Sequence, residues 1–470
     1  MYRLAGPAIG FACLFAAAPA HAAQALDGAR LSGLWALPFA GVLASIAVGP
    51  LVIPQIWHRR YGVLSGMWGV LVVVALSIVL GPATAMPAVL GVLLHDYLPF
   101  ILMLFALYTA AGGIVVGGRL HGSPLQNTGL LALATGLASL IGATGASMIL
   151  VHPLLRANEG RRFTAHIFVF MIILGANIGG ALTPLGNPPL FLGLLHGVDF
   201  FWTTEHLWRQ TLLASAVLLI AFFAIDSWLA RREPPPGRTR LAKDVPLGVR
   251  GSVNIILIAV AIGAIILSAV WRPGMAIDLA GARWEVQNLV REWAMLAVGV
   301  ASILLTPRGN RVANGFSWEP IVEVAKLFAA IFVCLIPVMA MLQAGREGAF
   351  APLVDFAAHP AGVPSGVAYF WSTGLLSSLL DNAPTYLVFF ELAGGDPQAL
   401  MGPMHQTLEA ISLGAVFMGA MTYIGNAPNF LIYSIVRRAG IGMPSFFGYL
   451  AWSGLVLTPL FVLISLLFFT

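Results

Sequence analysis

Two stretches of this chain, residues 62–80 (GVLSGMWGVLVVVALSIVL) and 446–469, run the length of a bilayer crossing without a charged side chain. A helix needs about 20 apolar residues to cross the hydrocarbon core. Lipid offers backbone N–H and C=O groups no partner, so only helices and closed barrels can span it. Barrel strands alternate in segments of about ten residues, and these runs do not alternate. The remaining composition agrees. Charged residues are 9% of 470, hydrophobic residues 59%, and mean hydropathy is +0.90. A soluble domain carries about 25% charged residues, so this chain cannot cover itself with a water-compatible surface. The fold class is all-α polytopic membrane protein.

The net charge of +5 and pI near 9.5 mark cytoplasmic loops. No basic stretch is interleaved with aromatics, so nucleic acid is not an expected partner; the lipid bilayer is. Cys13 and Cys334 alone provide neither a disulfide framework nor a Cys-rich metal site. Residues 1–22 carry a basic start at Arg3, an apolar core and an Ala20-His21-Ala22 ending, the pattern of a cleavable signal peptide. Cleavage would leave a periplasmic N-terminus on a multi-pass protein of a bacterial-type inner membrane.

Apolar spans are expected at 33–56, 62–79, 98–118, 164–182, 210–229, 253–271, 294–305, 327–342, 410–421 and 449–469. Two further apolar regions, 128–155 and 367–390, are interrupted by small and polar residues at their middles. If both re-enter on their own side, 17 basic residues fall inside, among them Arg59, Arg60, Arg161, Arg162, Arg437 and Arg438. Six fall outside: Arg30, Arg209, Arg272, Arg283, Arg291 and Arg346. The positive-inside rule favours this arrangement. The expectation is about ten transmembrane helices, two of them broken, plus two re-entrant hairpins. The Pro-rich basic stretch 231–250 reads as a cytoplasmic linker between halves at 33–230 and 251–469.

The most specific signal is a motif that occurs twice. Residues 180–192 (GALTPLGNPPLFL) and 419–431 (GAMTYIGNAPNFL) share G-A-x-T-x-x-G-N-x-P-x-F-L, 239 positions apart. Each copy follows an interrupted hairpin, GATGAS at 142–147 and SSLLDNAPT at 377–385. With the topology above, the copies cross in opposite senses, an inverted repeat. Gly and Pro within 183–189 and 422–428 disfavour a continuous helix. A break at membrane depth frees backbone carbonyls and N–H groups, and freed carbonyls with Thr and Asn oxygens suit a hard cation such as Na⁺.

These segments (TPLGNPPLFLGLLHGV, LDNAPTYL and TYIGNAPNF) resemble the NhaD-type sodium/proton antiporters and the related citrate-transporter-like families of the ion-transporter superfamily. The resemblance implies a scaffold and a transport domain moving elevator-fashion, often in a homodimer. It places one cation site at Thr144, Ser147, Thr183, Gly186 and Asn187. A second falls at Asp381, Asn382, Thr385, Thr422, Gly425 and Asn426. The coupling ions would be Na⁺ and H⁺, with no cofactor. The pattern departs at Asn187, where many of the antiporters carry Asp, and the S-N-T hairpin signature of dicarboxylate-coupled relatives is absent.

Asp381 stands in an apolar hairpin with no local basic partner, and a charge at mid-membrane costs about 2.5–3.5 kcal/mol on insertion scales. One carboxylate can hold a proton or coordinate Na⁺, which is a minimal mechanism for antiport. A capping role for Asp381 at a half-helix is compatible with this. His152 reads as an interfacial residue rather than a proton relay, and Glu391 and Glu409 as solvated near the outer ends, where either could feed protons. Glu323 and Lys326 have the spacing of an intrahelical pair on a segment from Trp318 that could lie along the interface. The expected function is Na⁺/H⁺ antiport, with a small inorganic cation as cargo. A sodium-coupled citrate or dicarboxylate symporter is the alternative. A membrane enzyme or receptor is disfavoured, since no H-E-x-x-H, G-x-S-x-G or P-loop spacing occurs.

Overall fold

The computed structural model describes residues 26–118, 121–233, 248–279, 282–357 and 366–470. The expected signal peptide at 1–22, and residues 234–247 of the linker expected at 231–250, lie outside the described residues. One order of elements occurs twice. The first half has helices Leu37–Val52, Pro54–Leu80 and Pro82–Ala111. A hairpin of Pro124–Ile141 and Ala143–Ala157 follows, then a broken helix (Ala165–Gly175, Ile178–Ala181, Pro188–Leu195) and the helix Trp202–Ala230. The second half has Ser252–Val270, Val286–Leu305 and Glu319–Gln343. It continues with a hairpin of Gly366–Leu379 and Asn382–Leu392, a broken helix (His405–Met418, Gly419–Met421, Ala427–Arg438) and Phe446–Phe468.

Eight of these helices are long and apolar enough to cross a membrane, and the two broken helices bring the total among the described residues to ten. The only strands among the described residues form two short antiparallel ladders: Val115–Gly117 with Gly248–Arg250, and Ala276–Leu279 with Ala282–Glu285.

Local chemistry sets the joints. Ile53 parts two helices flanked by Pro50 and Pro54, because proline lacks the donor an unbroken helix needs. Gly81 (φ +82°) and Gly142 (φ +80°) take a conformation that costs L side chains energy, and each turns the chain into a new helix. The second hairpin turns without glycine: Asp381 caps Asn382–Leu392 by accepting from the Ala383 N–H at 3.1 Å.

Several spans begin earlier than apolarity indicates. The span expected from 98 starts at Pro82, that from 294 at Val286, and that from 327 at Glu319. In each, polar or proline-bearing turns continue a helix whose neighbours supply the packing. The stretch from Trp318 is therefore not a separate interfacial piece; Lys326 places its ammonium 5.5 Å from the centre of the Tyr61 ring. Glu391, expected in solvent, is only 6% exposed, because the second hairpin's end packs against Glu319–Gln343.

Glu319–Gln343 is the interior helix: 72% of its apolar window is buried, against 17–33% for the other long spans. Those others turn Leu, Ile, Val and Phe outward toward lipid. The two halves also interlock reciprocally. The second arm of the first hairpin packs on Ala427–Arg438, and the second arm of the second hairpin packs on Pro188–Leu195.

One buried ionic cluster ties the first hairpin to the elements after it. Asp226, fully buried on Trp202–Ala230, accepts from Arg161 (2.6 Å), His166 (2.9 Å) and Asn127 (2.9 Å). Asn127 and Asn158 exchange two further bonds of 2.9 Å, and Arg161 also pairs with Glu233 at 3.1 Å. Removing one partner of a buried pair strands the other charge. Asp226→Ala should therefore cost about 3–5 kcal/mol. Arg346→Ala, which breaks the exposed Arg346–Asp355 pair, should cost about 0–1 kcal/mol. Melting temperatures in detergent would separate the two.

Candidate functional site

Each broken helix is fastened to its hairpin by the same bond. In the first half the Thr183 hydroxyl donates to the Ser139 carbonyl; in the second the Thr422 hydroxyl donates to the Ser378 carbonyl at 2.7 Å. All four residues keep the 239-residue offset of the motif. The Ser139 hydroxyl also donates to the Gly179 carbonyl and accepts from the Leu182 N–H. The Ser377 hydroxyl donates to the Ala415 carbonyl at 2.6 Å. Thus the hairpins satisfy backbone groups that the breaks release, as burial in lipid demands.

The motif glycines make each turn possible. A Cβ on Gly186 would overlap the Gly180 carbonyl, and one on Gly425 would stand 2.7 Å from the Gly419 oxygen and 2.9 Å from that of Ser377. The Gly186 carbonyl accepts from the Ala143 N–H at 2.9 Å, tying the first hairpin tip to the first break.

The two breaks meet at a cluster of asparagines. Asn426 Nδ2 donates to Asn187 Oδ1 (2.8 Å), to the Ala176 carbonyl (3.0 Å) and to Asn177 Oδ1 (3.2 Å). Asn382 Nδ2 reaches the same Asn187 oxygen at 3.4 Å. Asn177 donates to Asn429 Oδ1 at 2.7 Å, and Asn429 donates to the Gly419 and Thr422 carbonyls. All five are buried. Two carboxamide oxygens in this cluster, Asn382 Oδ1 and Asn426 Oδ1, have no hydrogen-bond partner. A buried acceptor without a donor is costly, and a cation is a partner it can take.

A cavity of about 350 Å³ leads from the surface to this region. Exposed Glu319 and Arg438, 3.9 Å apart, stand at its mouth with Glu323. Trp57, Phe100, Leu104 and Phe328 form its walls, and Thr144, Pro188, Asp381 and Asn426 line its inner part. Among the described residues no three His, Cys, Asp or Glu side chains gather as a metal site. The donors are neutral oxygens with one carboxylate, a set suited to a hard cation rather than a transition metal.

The residues expected at two separate sites fall around one centre. Asn187 of the first set contacts Asn382 and Asn426 of the second, and Thr144 shares the cavity with Asp381 and Asn426. Ser147 turns its hydroxyl onto the Ala143 carbonyl (2.6 Å) and Thr385 its own onto that of Asp381 (2.9 Å). Thr422 also accepts from the Gly425 N–H at 3.0 Å. Ser139, Ser378, Asn177 and Asn429 were not anticipated. The first two obey the 239-residue spacing and were legible from it. Asn177 and Asn429 were not, because their counterparts at that spacing, Val416 and Leu190, are apolar.

Comparison with known proteins agrees with this architecture. The profile of a family described as "Putative citrate transport" matches residues 28–469. A "46 kDa membrane protein" of Mycobacterium leprae is 23% identical over 333 residues, covering 68% of this chain and 72% of its own. An uncharacterized transporter of Mycobacterium tuberculosis is 25% identical over 339 residues, covering 71% and 73%. A second from that species is 23% identical over 362 residues, covering 74% and 77%.

Because the added methyl in Gly186→Ala meets backbone rather than a flexible side chain, overpacking should cost about 1–3 kcal/mol or more and dismantle the centre. Gly136→Ala, on an open face of the first hairpin, should leave melting temperature and transport unchanged. Both are read from the same detergent-purified preparation.

Proposed function

The chain belongs to this citrate-transport family of membrane proteins and is a multi-pass transporter, and from that premise we propose that it exchanges Na⁺ against protons by alternating access. The observation that carries the reading is the ending of the cavity. Asp381 lies in its lining beside Asn426, whose carboxamide oxygen is buried without a partner, as is that of adjacent Asn382. One carboxylate and neutral oxygens can bind a dehydrated monovalent cation, and a proton on the carboxylate removes the charge that holds it. Only one of the two is accommodated at a time, which couples their movements.

The sign of the cavity supports a cation. Its charged lining is Glu319, Glu323 and Asp381 against Arg438 alone. This balance attracts a cation and repels a polyanion. The second reading, sodium-coupled uptake of citrate or a dicarboxylate, is favoured by the family's description and would need Na⁺ to reverse that balance first. In the proposed cycle the two halves are inverted repeats. Their hairpins and broken helices move together past the long helices Pro82–Ala111 and Glu319–Gln343, in a dimer in the inner membrane. The cavity then faces the cytoplasm, since Lys326, Arg437 and Arg438 stand on its side in the charge count.

Asp381→Asn tests the reading, because Asn caps a helix about as well as Asp and only the charge is lost. In proteoliposomes the parent should release protons when Na⁺ is added without citrate. The variant should fall to the protein-free background while keeping its melting temperature. Undiminished Na⁺-driven proton flux in the variant removes Asp381 from the mechanism; Na⁺-driven citrate accumulation without such flux in the parent replaces antiport by symport.

A further inference from the structure

Three titratable side chains from three elements meet away from Asp381. Asp96 stands in a π-turn, Leu93–Tyr97, within the helix Pro82–Ala111; single π-turns inside α-helices are frequent at functional sites. His196 is the residue on which Pro188–Leu195 ends, and Glu391 lies in the last turn of Asn382–Leu392. His196 Nε2 is 3.4 Å from Asp96 Oδ1. That nitrogen is itself buried, and its direction makes no hydrogen bond. Glu391 acts on the same ring through its charge and lies near Gln343, the final residue of Glu319–Gln343.

The surroundings leave His196 to these two carboxylates. Phe390 walls the ring, with centres 6.1 Å apart. His95 is turned onto Trp284 at 4.9 Å, and nearby Arg291 is held by Glu292 at 2.7 Å. A second cavity of about 610 Å³, lined by His95, Leu195, Gly197, Arg272 and Arg291 among others, opens beside the cluster. It shares no lining residue with the cavity that contains Asp381.

We infer that Asp96, His196 and Glu391 form a second proton-binding site, loaded from this second cavity and separate from the Asp381 centre, whose occupancy favours the observed conformation. It rests on the exchange reading for one point, that the proton it holds is one of those exchanged. The proton enters from water in the second cavity and resides on the imidazole, placing a positive charge between two carboxylates. Asp96 and Gln343 belong to the two long helices, while His196 and Glu391 belong to the broken helix and the hairpin. Any shift of the latter past the former parts His196 from Asp96. Protonation makes that separation costly, and deprotonation leaves two carboxylates facing each other. Low pH therefore holds the Asp381 cavity open, and the hold is lost as pH rises through the range in which a histidine titrates.

The test reads conformation rather than cargo. In full-length protein carrying Cys13→Ser and Cys334→Ala, Leu104→Cys places a thiol on the wall of the Asp381 cavity. Its labelling by a membrane-impermeant thiol reagent is followed in proteoliposomes without sodium. Each rate is divided by that of the same variant denatured at the same pH, which removes the ionisation of the thiol itself; the normalised labelling should be faster at about pH 6 than at about pH 8.5, by about tenfold for each pKa unit by which the two conformations differ in proton affinity. His196→Gln and the isosteric Asp96→Asn should each bring the ratio near one. A ratio near one in the parent, or one unchanged in both variants, overturns the site. A parent with pH-dependent labelling but no Na⁺-driven proton flux leaves this site standing and removes the antiport reading instead.

Discussion

The rest of the structure depends on one constraint: a helix broken inside lipid must hand its freed backbone groups to something other than water. Here the recipients are side chains from the neighbouring hairpins and from the opposite break. The Ser139 hydroxyl takes the Gly179 carbonyl and the Leu182 N–H, and the Asn426 carboxamide takes the Ala176 carbonyl. Asn429, from the second half, takes the Gly419 and Thr422 carbonyls while accepting from Asn177 of the first. The second half thus completes backbone that the first break leaves open, and side-chain bonds between asparagines join the two breaks. Around this junction each hairpin's second arm lies on the other half's broken helix.

Within that near-symmetry one position differs in kind. At the 239-residue offset Gly142 corresponds to Asp381. Both begin the second arm of a hairpin. Gly142 does so by adopting φ +80°, and Asp381 by capping the helix with its own side chain. The backbone problem is the same, and the two solutions leave different chemistry behind. The first tip presents no charge, while the second presents a carboxylate beside the meeting point of the breaks. A duplicated scaffold has thus become a centre with a single ionisable group, which is what competition between a proton and a cation requires.

Much of this was legible in the sequence because lipid leaves few alternatives. Uncharged runs identified the long helices, and the paired motif located both breaks and both hairpin tips. What was not legible depended on contact between distant segments. The separate site sets built around Asn187 and Asn426 followed from reading each repeat alone; the 2.8 Å bond joining those residues exists only once the halves interlock. Asp226 carries no mark within its own segment, since Arg161, His166 and Asn127 converge on it from three other segments. Glu391 read as solvated because it lies near an outer end of its segment, yet Gly395 packs so close that a Cβ there would press on the Glu391 carboxylate.

The distribution of buried charge separates what is fixed from what can change. Asp226 has Arg161, His166 and Asn127 around it, so every lone pair facing the interior has a donor, and no proton or ion is needed to complete it. Asp381 has one backbone N–H and a cavity wall. His196 has a carboxylate at 3.4 Å and no aligned bond. A fully satisfied buried charge is costly to move and holds elements together. An incompletely satisfied one changes its energy with whatever binds beside it. The structure keeps the first kind where the first hairpin joins the helices that follow it and the second kind where cavities reach in, so the groups left short of partners are those that small cations and protons can approach.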